Sequence, residues 1–332
     1  MPKHFVHVLD VVIIRSCQLS CEGCCTFSNH KEINGLVDVN EYADSLKFWS
    51  KYIKAGKIHL FGGEPTMHPQ LLEWVRLVRS CWPNNVTNDK GQQLPIWIST
   101  NGYYLDKLFD HIDELFLENS MCLSITHHTL TEPYFSLVKK NIETLLSLIL
   151  EAAIKKWPTR KLWWVNSESN VDGHKEYKML RNGPAEHNNL TVISITHQYN
   201  DHFVSHYQGQ GIDLKPWHDY NNKNVKLENH YECHIKDYVQ LYQGRLYKCP
   251  PRAVLNQTLE TFDLQSDEDW ADYYNEYESI GTESTESEIA AWHLRQKEPE
   301  NTCNMCGFMY SDSKLIPAQQ HLPKKLFKLK PV

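Results

Sequence analysis

The sequence predicts an α/β fold: a parallel sheet of six strands mostly separated by helices, followed by a smaller C-terminal unit of one β-hairpin plus helices. Three observations predict it. Short apolar runs alternate with segments of helical periodicity along roughly the first 200 residues, the pattern of strand–helix–strand units with right-handed crossovers. Residues suited to chemistry gather just after the apolar runs, at strand C-termini, where such sheets place their sites. From about Lys215 the composition shifts toward Asn, Lys and Asp, and cysteines reappear. The expected division is 1–215 and 216–332.

Taken in order, Phe5 to Ile14 reads as a buried strand that feeds into Arg15-Ser16-Cys17-Gln18-Leu19-Ser20-Cys21-Glu22-Gly23-Cys24-Cys25. Asp38, with Glu41 three residues on, has the spacing of a helix cap, and Val39, Tyr42, Ala43, Leu46, Trp49 and Ile53 recur at helical spacing up to Gly56. Lys57 to Phe61 is a second strand running into Gly62-Gly63-Glu64-Pro65, and Pro69 starts a helix with Leu71, Leu72, Val75 and Val78 on one face. Pro95 to Ser99 is a third strand, Leu105 to Phe116 is mostly helical, and Met121 to Thr126 is a fourth strand. Thr131-Glu132-Pro133 opens a long helix that ends before Trp157-Pro158. Leu162 to Val165 and Leu190 to Thr196 are strands five and six, joined by a polar, weakly periodic stretch where a fifth helix is expected. The tetrapeptides Ser124-Ile125-Thr126-His127 and Ser194-Ile195-Thr196-His197 match, which we read as convergence at equivalent strand ends. Beyond a linker at Asp219 to Asn229, Tyr238–Tyr242 and Arg245–Lys248 form a hairpin turning at Gln243-Gly244. Asp267 to Ile280 reads as an acidic aromatic helix, and Thr285 with Glu288 caps another.

Composition excludes several classes. The 332 residues are 41% hydrophobic and 23% charged, as in ordinary globular proteins. No run approaches the roughly 18 apolar residues of a membrane span. Asp10 and Arg15 interrupt the N-terminal apolar stretch, so no signal-peptide pattern stands there and a cytoplasmic location is expected. A net charge of −7 argues against a broad nucleic-acid surface, and the basic run Pro323 to Lys330 reads as a solvated tail. There are ten cysteines, and in a cytosolic chain clusters of them read as metal ligands rather than disulfides; seven fall into two groups. Cys81 and Cys122 sit among apolar residues and read as small core side chains, and the Cys25 side chain is expected to point away from that of Cys24.

Cys17, Cys21 and Cys24 stand at the spacing Cys-x3-Cys-x2-Cys on a loop at a strand end. Three thiolates can hold three corners of an iron–sulfur cube and leave one iron open for chemistry. A zinc site is the competing reading of the trio. The spacing resembles the signature of the radical S-adenosylmethionine (SAM) enzymes. The resemblance implies a partial (β/α)6 barrel, a 4Fe–4S cluster whose open iron chelates SAM, and reductive cleavage to a 5′-deoxyadenosyl radical that abstracts a substrate hydrogen. It also implies an electron donor such as flavodoxin or ferredoxin. One position departs: the residue before the third cysteine is usually aromatic in that family, and this chain has Gly23. Gly62, Gly63, Glu64 and Pro65 match the family motif that binds the SAM amino group, and Glu64 takes its acidic position. By the same resemblance Ser99, Thr100, Asn101, Ser124 and Thr126, with Asn166 beyond strand five, contact the SAM carboxylate and ribose; satisfied strand-end polar residues are the plain alternative. His127, His128 and His197 are rim candidates for binding substrate or moving protons.

Cys233, Cys249, Cys303 and Cys306 form a second group, which also suits tetrahedral zinc. The order Cys–hairpin–Cys–helix–Cys-x2-Cys resembles the twitch domain, a shortened relative of the SPASM domain, and implies a second, auxiliary 4Fe–4S cluster. With four protein ligands it has no open iron and serves as an electron acceptor or relay. The expected activity is hydrogen abstraction followed by oxidation of a polar small molecule or peptide side chain, a dehydrogenase-like oxidoreductase. A peptide or cofactor maturase forming C–C or thioether bonds is the alternative within the class, and a zinc-binding interaction protein the alternative outside it.

Overall fold

The computed structural model describes residues 4–21, 23–83, 96–128, 132–159, 161–168, 175–181, 189–197, 206–217, 230–231, 233, 235–274 and 279–306. The expected linker at 219–229 and the basic tail at 323–330 lie outside them. β1 (His4–Ile14) is apolar except for its histidines and Asp10, and from Val8 onward every residue is buried. That is the composition of a central strand covered on both faces. Asp38 caps α1 (Val39–Tyr52) by accepting the Asn40 N–H at 2.8 Å. The chain then enters β2 (Ile53–Gly62) at once. Gly56, expected to end the helix, therefore lies inside the strand, where a Cβ would stand 2.8 Å from the His7 carbonyl oxygen. α2 (Leu71–Cys81) buries Leu71, Trp74, Val75 and Val78. β3 (Ile96–Thr100) follows. The stretch expected as mostly helical is a 3-10 segment, Leu105–His111, continued by a wider turn, Asp113–Glu118. β4 (Met121–His127) and α3 (Tyr134–Lys156) match their expected bounds, and α3 buries Val138, Ile142, Leu145, Ile149 and Ala153 at helical spacing.

The next part corrects the all-parallel expectation. β5 (Leu162–Glu168), β6 (Lys175–Arg181) and β7 (Asn189–His197) form an antiparallel set, with β6 standing where helix five was expected. In the β6 sequence Tyr177 and Met179 alternate with Glu176 and Lys178, a period of two that suits a strand rather than a helix. β7, not β5, pairs with β4, in parallel, and the matching tetrapeptides lie side by side in register from Ser124↔Ser194 to His127↔His197.

A two-residue ribbon of β8 (Tyr207–Gln208) and β9 (Lys215–Pro216) precedes the hairpin β10 (Tyr238–Tyr242) and β11 (Arg245–Tyr247). Gln243 and Gly244 both take positive φ, 48° and 76°, as a two-residue hairpin turn requires. β10 pairs in parallel with β1, so the hairpin extends the main sheet, whose order is β11-β10-β1-β2-β3-β4-β7-β6-β5. Cys249 leads into α4 (Pro250–Thr261), a helix started by two prolines. The expected helix from Asp267 is instead, over its described part to 274, a run of turns, in which the Asp267 carboxylate takes the Asp269 N–H at 2.9 Å and competes with helical bonding. Ile280 forms an isolated bridge with Leu246. α5 (Glu286–Arg295) carries the expected Thr285–Glu288 capping box. Among the described residues no helix is long and apolar enough to cross a membrane.

The two faces of the sheet differ. Leu9, Val11, Ile13, Ile58, Leu60, Ile96, Ile98, Met121, Leu123 and Ile125 alternate onto one face and belong to the buried core with the helices. The residues between them are more polar.

Candidate functional site

The Cys17–Cys24 loop leaves β1 beside the turn that leaves β2, and backbone bonds fasten the two together. Gly63 N–H donates to Ile14 O at 2.7 Å and Glu64 N–H to Ser16 O at 2.9 Å. The approach is close enough to demand both glycines. A Cβ on Gly62 would stand 2.0 Å from Ile14 O, and one on Gly63 2.1 Å from Ser16 O. Gly62 also has φ +132°, which L side chains rarely adopt. The glycines thus bring the turn against the cysteine loop. Gly23, the departure noted above, has φ 67°, where an aromatic side chain would strain the backbone.

Glu64 is fully buried. Its Oε1 accepts from Thr66 N–H at 3.0 Å, from the Thr66 hydroxyl and from the Thr100 hydroxyl at 2.7 Å, and its Oε2 accepts from Asn101 N–H at 2.8 Å. Burial pushes its carboxyl above the ordinary range, against the downward pull of those donors. Pro65 opens the short 3-10 turn that Glu64 caps. Asn101 connects three segments. Its Oδ1 accepts from Gln18 Nε2 at 2.8 Å, its Nδ2 lies 3.8 Å from Cys17 Sγ, and its carbonyl accepts from the Tyr134 hydroxyl at 2.5 Å.

The sulfurs of the loop meet donors: Leu19 N–H lies 3.4 Å from Cys17 Sγ, and the Thr26 hydroxyl 3.3 Å from Cys24 Sγ. Such donors favour thiolates, so the donor set fits an iron–sulfur cluster. Cys17, Cys21 and Cys24 each keep partial exposure, as ligands that face a bound group require. Arg15, buried at the base of the loop, donates to Gln257 Oε1 at 2.6 Å, Thr258 Oγ1 at 3.1 Å and Thr26 O at 3.3 Å. Gln257 and Thr258 lie on α4, the helix that starts after Cys249.

The four C-terminal cysteines come from separate segments and still influence one another. Burial pushes the Cys249 thiol up to about 12, with Cys303 and Cys233 adding to the rise. Burial raises Cys306 as well, followed by Cys249, Cys233 and Cys303, and it raises Cys233, with Cys303 adding. The charges of Cys233 and Cys303 reach both Cys249 and Cys306, which places the four thiols in one neighbourhood. By ligand type, four soft sulfurs suit an iron–sulfur cluster or zinc. Lys248 is buried beside them and donates to Gln296 O at 2.7 Å and Glu298 O at 2.6 Å. Cys25 is raised first by burial, then by Cys24, Asp10 and, least, Cys249. Cys122 is buried and Cys81 half-buried. Among the described residues no three His, Cys, Asp or Glu side chains are gathered tightly enough for a single metal ion.

Across the polar face of the sheet runs a row in register: Gln240 on β10, Asp10 on β1, His59 on β2, Trp97 on β3 and Cys122 on β4. Gln240 Nε2 donates to Asp10 Oδ2 at 2.5 Å, and His59 Nδ1 lies 3.1 Å from Asp10 Oδ1. Trp97 Nε1 is buried without a hydrogen-bond partner among the described residues. One step toward the C-terminal ends, Ser99 and Ser124 pair in register and keep partial exposure. His128 is half-buried just past β4. His127 alternates onto the opposite face, buried, its ring 5.5 Å from that of Phe135. His197 is its register partner on β7, and Asn166 lies on β5, at the far edge of the sheet from the cysteine loop. The structure therefore brings together the loop cysteines, Gly62–Pro65 and Asn101, with Ser99 and Ser124 below them, and sets Asn166 apart. Sequence reasoning missed Arg15, Gln18, Asp10, His59 and Gln240, each an isolated polar residue in or beside an apolar run. A charge within a strand otherwise apolar was the one available signal, at Asp10.

No protein-family model matches the chain, and no curated protein matches it. Solved structures similar to it include BtrN in complex with AdoMet and 2-DOIA, at 13% identity and TM-score 0.45 over 97% of this chain and 100% of that one. They also include anSMEcpe with bound AdoMet, at 19% identity and TM-score 0.33, covering 43% of this chain and 41% of that one. A third is Streptococcus suis SuiB bound to S-adenosylmethionine, at 13% identity and TM-score 0.26, covering 45% and 39%. At these scores the likenesses carry no argument, and the functional reading rests on the residues.

Proposed function

We propose that the chain is a radical SAM enzyme, with residues 1–215 forming the SAM-cleaving unit and 216–332 an auxiliary-cluster unit. One observation carries the reading: the Cys17–Cys24 loop and the Gly62–Glu64 turn, each motif-like in sequence, are bonded to each other at the carboxyl ends of adjacent parallel strands. Cys17, Cys21 and Cys24 would hold the first 4Fe–4S cluster, and Cys233, Cys249, Cys303 and Cys306 the second. When bound, the first cluster with SAM supplies a 5′-deoxyadenosyl radical for hydrogen abstraction.

The chain's own residues bind, orient and handle the proton. Gly62, Gly63 and Pro65 shape the turn for the SAM amino end, and Glu64 fixes it. Three donors already meet its Oε1, so the ammonium would donate to Oε2, which takes the Asn101 N–H and keeps a second acceptor site. Asn101, Ser99 and Ser124 line the way from the loop to the polar face, where Trp97 Nε1 offers an unused donor. A polar small molecule or a peptide side chain suits that face. Oxidation there removes one hydrogen atom, then one proton and one electron. His59, oriented by Asp10, receives the proton, with His128 nearer the rim as the second candidate. Cys233, Cys249, Cys303 and Cys306 would hold a group able to accept that electron, and a flavodoxin- or ferredoxin-like donor would supply electrons to the group held by Cys17, Cys21 and Cys24.

The test is iron, sulfide and zinc content after anaerobic purification and reconstitution, with SAM cleavage assayed on the same sample. The reading expects about eight irons per chain, about four after Cys17, Cys21 and Cys24 become Ala, and 5′-deoxyadenosine from the wild type only. About four irons plus one zinc would retain the radical chemistry and remove the oxidative role of the second site. Zinc alone with no SAM cleavage would leave a zinc-binding interaction protein.

A further inference from the structure

The second thiol group carries a hydrogen-bonding partner outside its four cysteines. His206 Nδ1 lies 3.1 Å from Cys306 Sγ, and the residue is buried, 6% exposed. A sulfur bound to iron is a thiolate and only accepts, so the proton of this contact belongs to Nδ1.

The position of His206 is built rather than incidental. Tyr207, the next residue, is 2% exposed, stacks on Phe27 with ring centroids 4.4 Å apart and planes 17° from parallel, and donates its hydroxyl to Asn29 Oδ1 at 2.7 Å. Phe27 and Asn29 directly follow the Cys17–Cys24 loop. The Tyr207–Gln208 strand pairs with Lys215–Pro216, and the turn at Gly209 is tight: φ is +80° and a Cβ would stand 2.1 Å from Asp213 O. Trp217 N–H then donates to Met305 O at 3.0 Å, one residue before Cys306. One short ribbon is thus anchored against the first cysteine loop through Tyr207 and against the second group through Trp217, and between those anchors it presents an imidazole N–H to a sulfur.

Resting on the radical SAM reading above, we propose that His206 is a positioning residue that donates Nδ1–H to Cys306 Sγ and so raises the reduction potential of a cluster held by Cys233, Cys249, Cys303 and Cys306. A donor to a ligating sulfur withdraws negative charge from the cluster. The reduced form carries one more negative charge and is stabilised more, so the potential rises. A higher potential makes the second cluster the better acceptor of the substrate's electron, in keeping with a group whose other duties, ligation and burial, are already filled by four cysteines.

The test is an EPR-monitored redox titration at one pH of the anaerobically reconstituted full chain. It is made in the wild type and in the Cys17/Cys21/Cys24→Ala background, where only the second cluster contributes. His206→Phe keeps a ring and removes the donor, and it should lower the midpoint potential of the second cluster while leaving that of the first in place. His206→Asn sets its Nδ2 where Nδ1 stood and should restore most of the shift. Tyr207→Leu loosens the anchor on Phe27 and Asn29 and keeps the imidazole, so it should lower the second potential by less than His206→Phe does. If His206→Phe loads both clusters and the second potential does not move, the inference is overturned. If His206→Phe fails to load the second cluster, His206→Asn decides: a wild-type potential supports donation, and a lowered one overturns it. Zinc or no metal at the second site of the wild type overturns the underlying reading instead, a result that iron and zinc analysis separates from an unmoved potential.

Discussion

The loop from Cys17 to Cys24 and the group from Cys233 to Cys306 present the same side chain under different kinds of support. The loop is contiguous and backbone-fastened. Arg15 N–H bonds Gly35 O at 2.9 Å, and the next strand's turn bonds Ile14 O and Ser16 O. Its sulfurs meet N–H and O–H donors, and like those of the second group they stay partly exposed. The second group is assembled from segments far apart in the chain, at 233, 249 and 303–306, and Cys306 takes the contact from His206. Its thiols are pushed up by burial and by one another. Local geometry therefore carries the first site, whereas the whole C-terminal fold carries the second. Changes to the tight turn should disable the first site alone, and changes to long-range packing should reach both.

The largest expected effect comes from Gly63→Ala. Its Cβ would meet Ser16 O at 2.1 Å, so the backbone of the cysteine loop must move, at a cost of about 3 kcal/mol. We expect about four irons to be lost with SAM cleavage while the second group keeps its metal, checked by iron per chain and a denaturant midpoint. Loss of metal from both groups would show that the two are not supported separately. Arg15→Ala comes next. It removes one donor each from Gln257 Oε1, which keeps the Tyr242 hydroxyl at 2.7 Å, from Thr258 Oγ1 and from Thr26 O, and should cost about 2–3 kcal/mol. Because α4 begins just after Cys249, this change should weaken metal retention in both groups. Arg15→Lys should recover only part, since one ammonium replaces a planar fork of donors.

Glu64→Gln is smaller and reads out with pH. The folded carboxyl titrates above its ordinary value, so its contribution to stability is complete below the unfolded value of about 4.3 and is lost as pH rises through the raised folded value. Metal-free wild type should lose stability relative to Glu64→Gln across that window, as followed by thermal melts from acid to neutral pH. A wild-type curve that rises with pH relative to the variant would mean that the four donors outweigh burial.

Much of the first site was legible in the chain itself, because its parts are short-range. The Cys-x3-Cys-x2-Cys spacing, the Gly-Gly-Glu-Pro turn and the strand ends at Asn101 and Ser124 each follow from a few adjacent residues, and β1 to β4 carry strong apolar runs. The parts that escaped depend on partners far away in sequence. Arg15 looks like a strand-end cation until Gln257 closes on it, and Asp10 looks like an interruption until His59 and Gln240 flank it. β6 was missed because a polar strand at the side of a sheet has no apolar run to announce it, and the helix expected after Asp267 failed because an aspartate side chain can satisfy the backbone locally. Gly56 misled for a related reason: a glycine after a helical pattern reads as a helix end, yet its use is to let β2 pass close to His7. The roles of the glycines in the Gly62–Gly63 turn likewise became clear only when the Ile14 and Ser16 carbonyls stood against them.

The smallest expected effect tests the assembled character of the second group. α5 lies between the hairpin and Cys303, and its start depends on Thr285, whose hydroxyl accepts the Glu288 N–H while the Glu288 carboxylate accepts the Thr285 N–H at 2.7 Å. Thr285→Ala removes half of that exchange and should cost about 1 kcal/mol. Ile289 and Trp292, buried one turn and two turns into the helix, hold it to the core independently of the cap. The melting temperature should therefore fall by about 1–2 °C for a chain of this size, while iron content and SAM cleavage stay at wild-type levels. Were Thr285→Ala to lose the second cluster, the four cysteines would depend on the fraying of a single helix end, and the burial that surrounds them would not be what keeps them together.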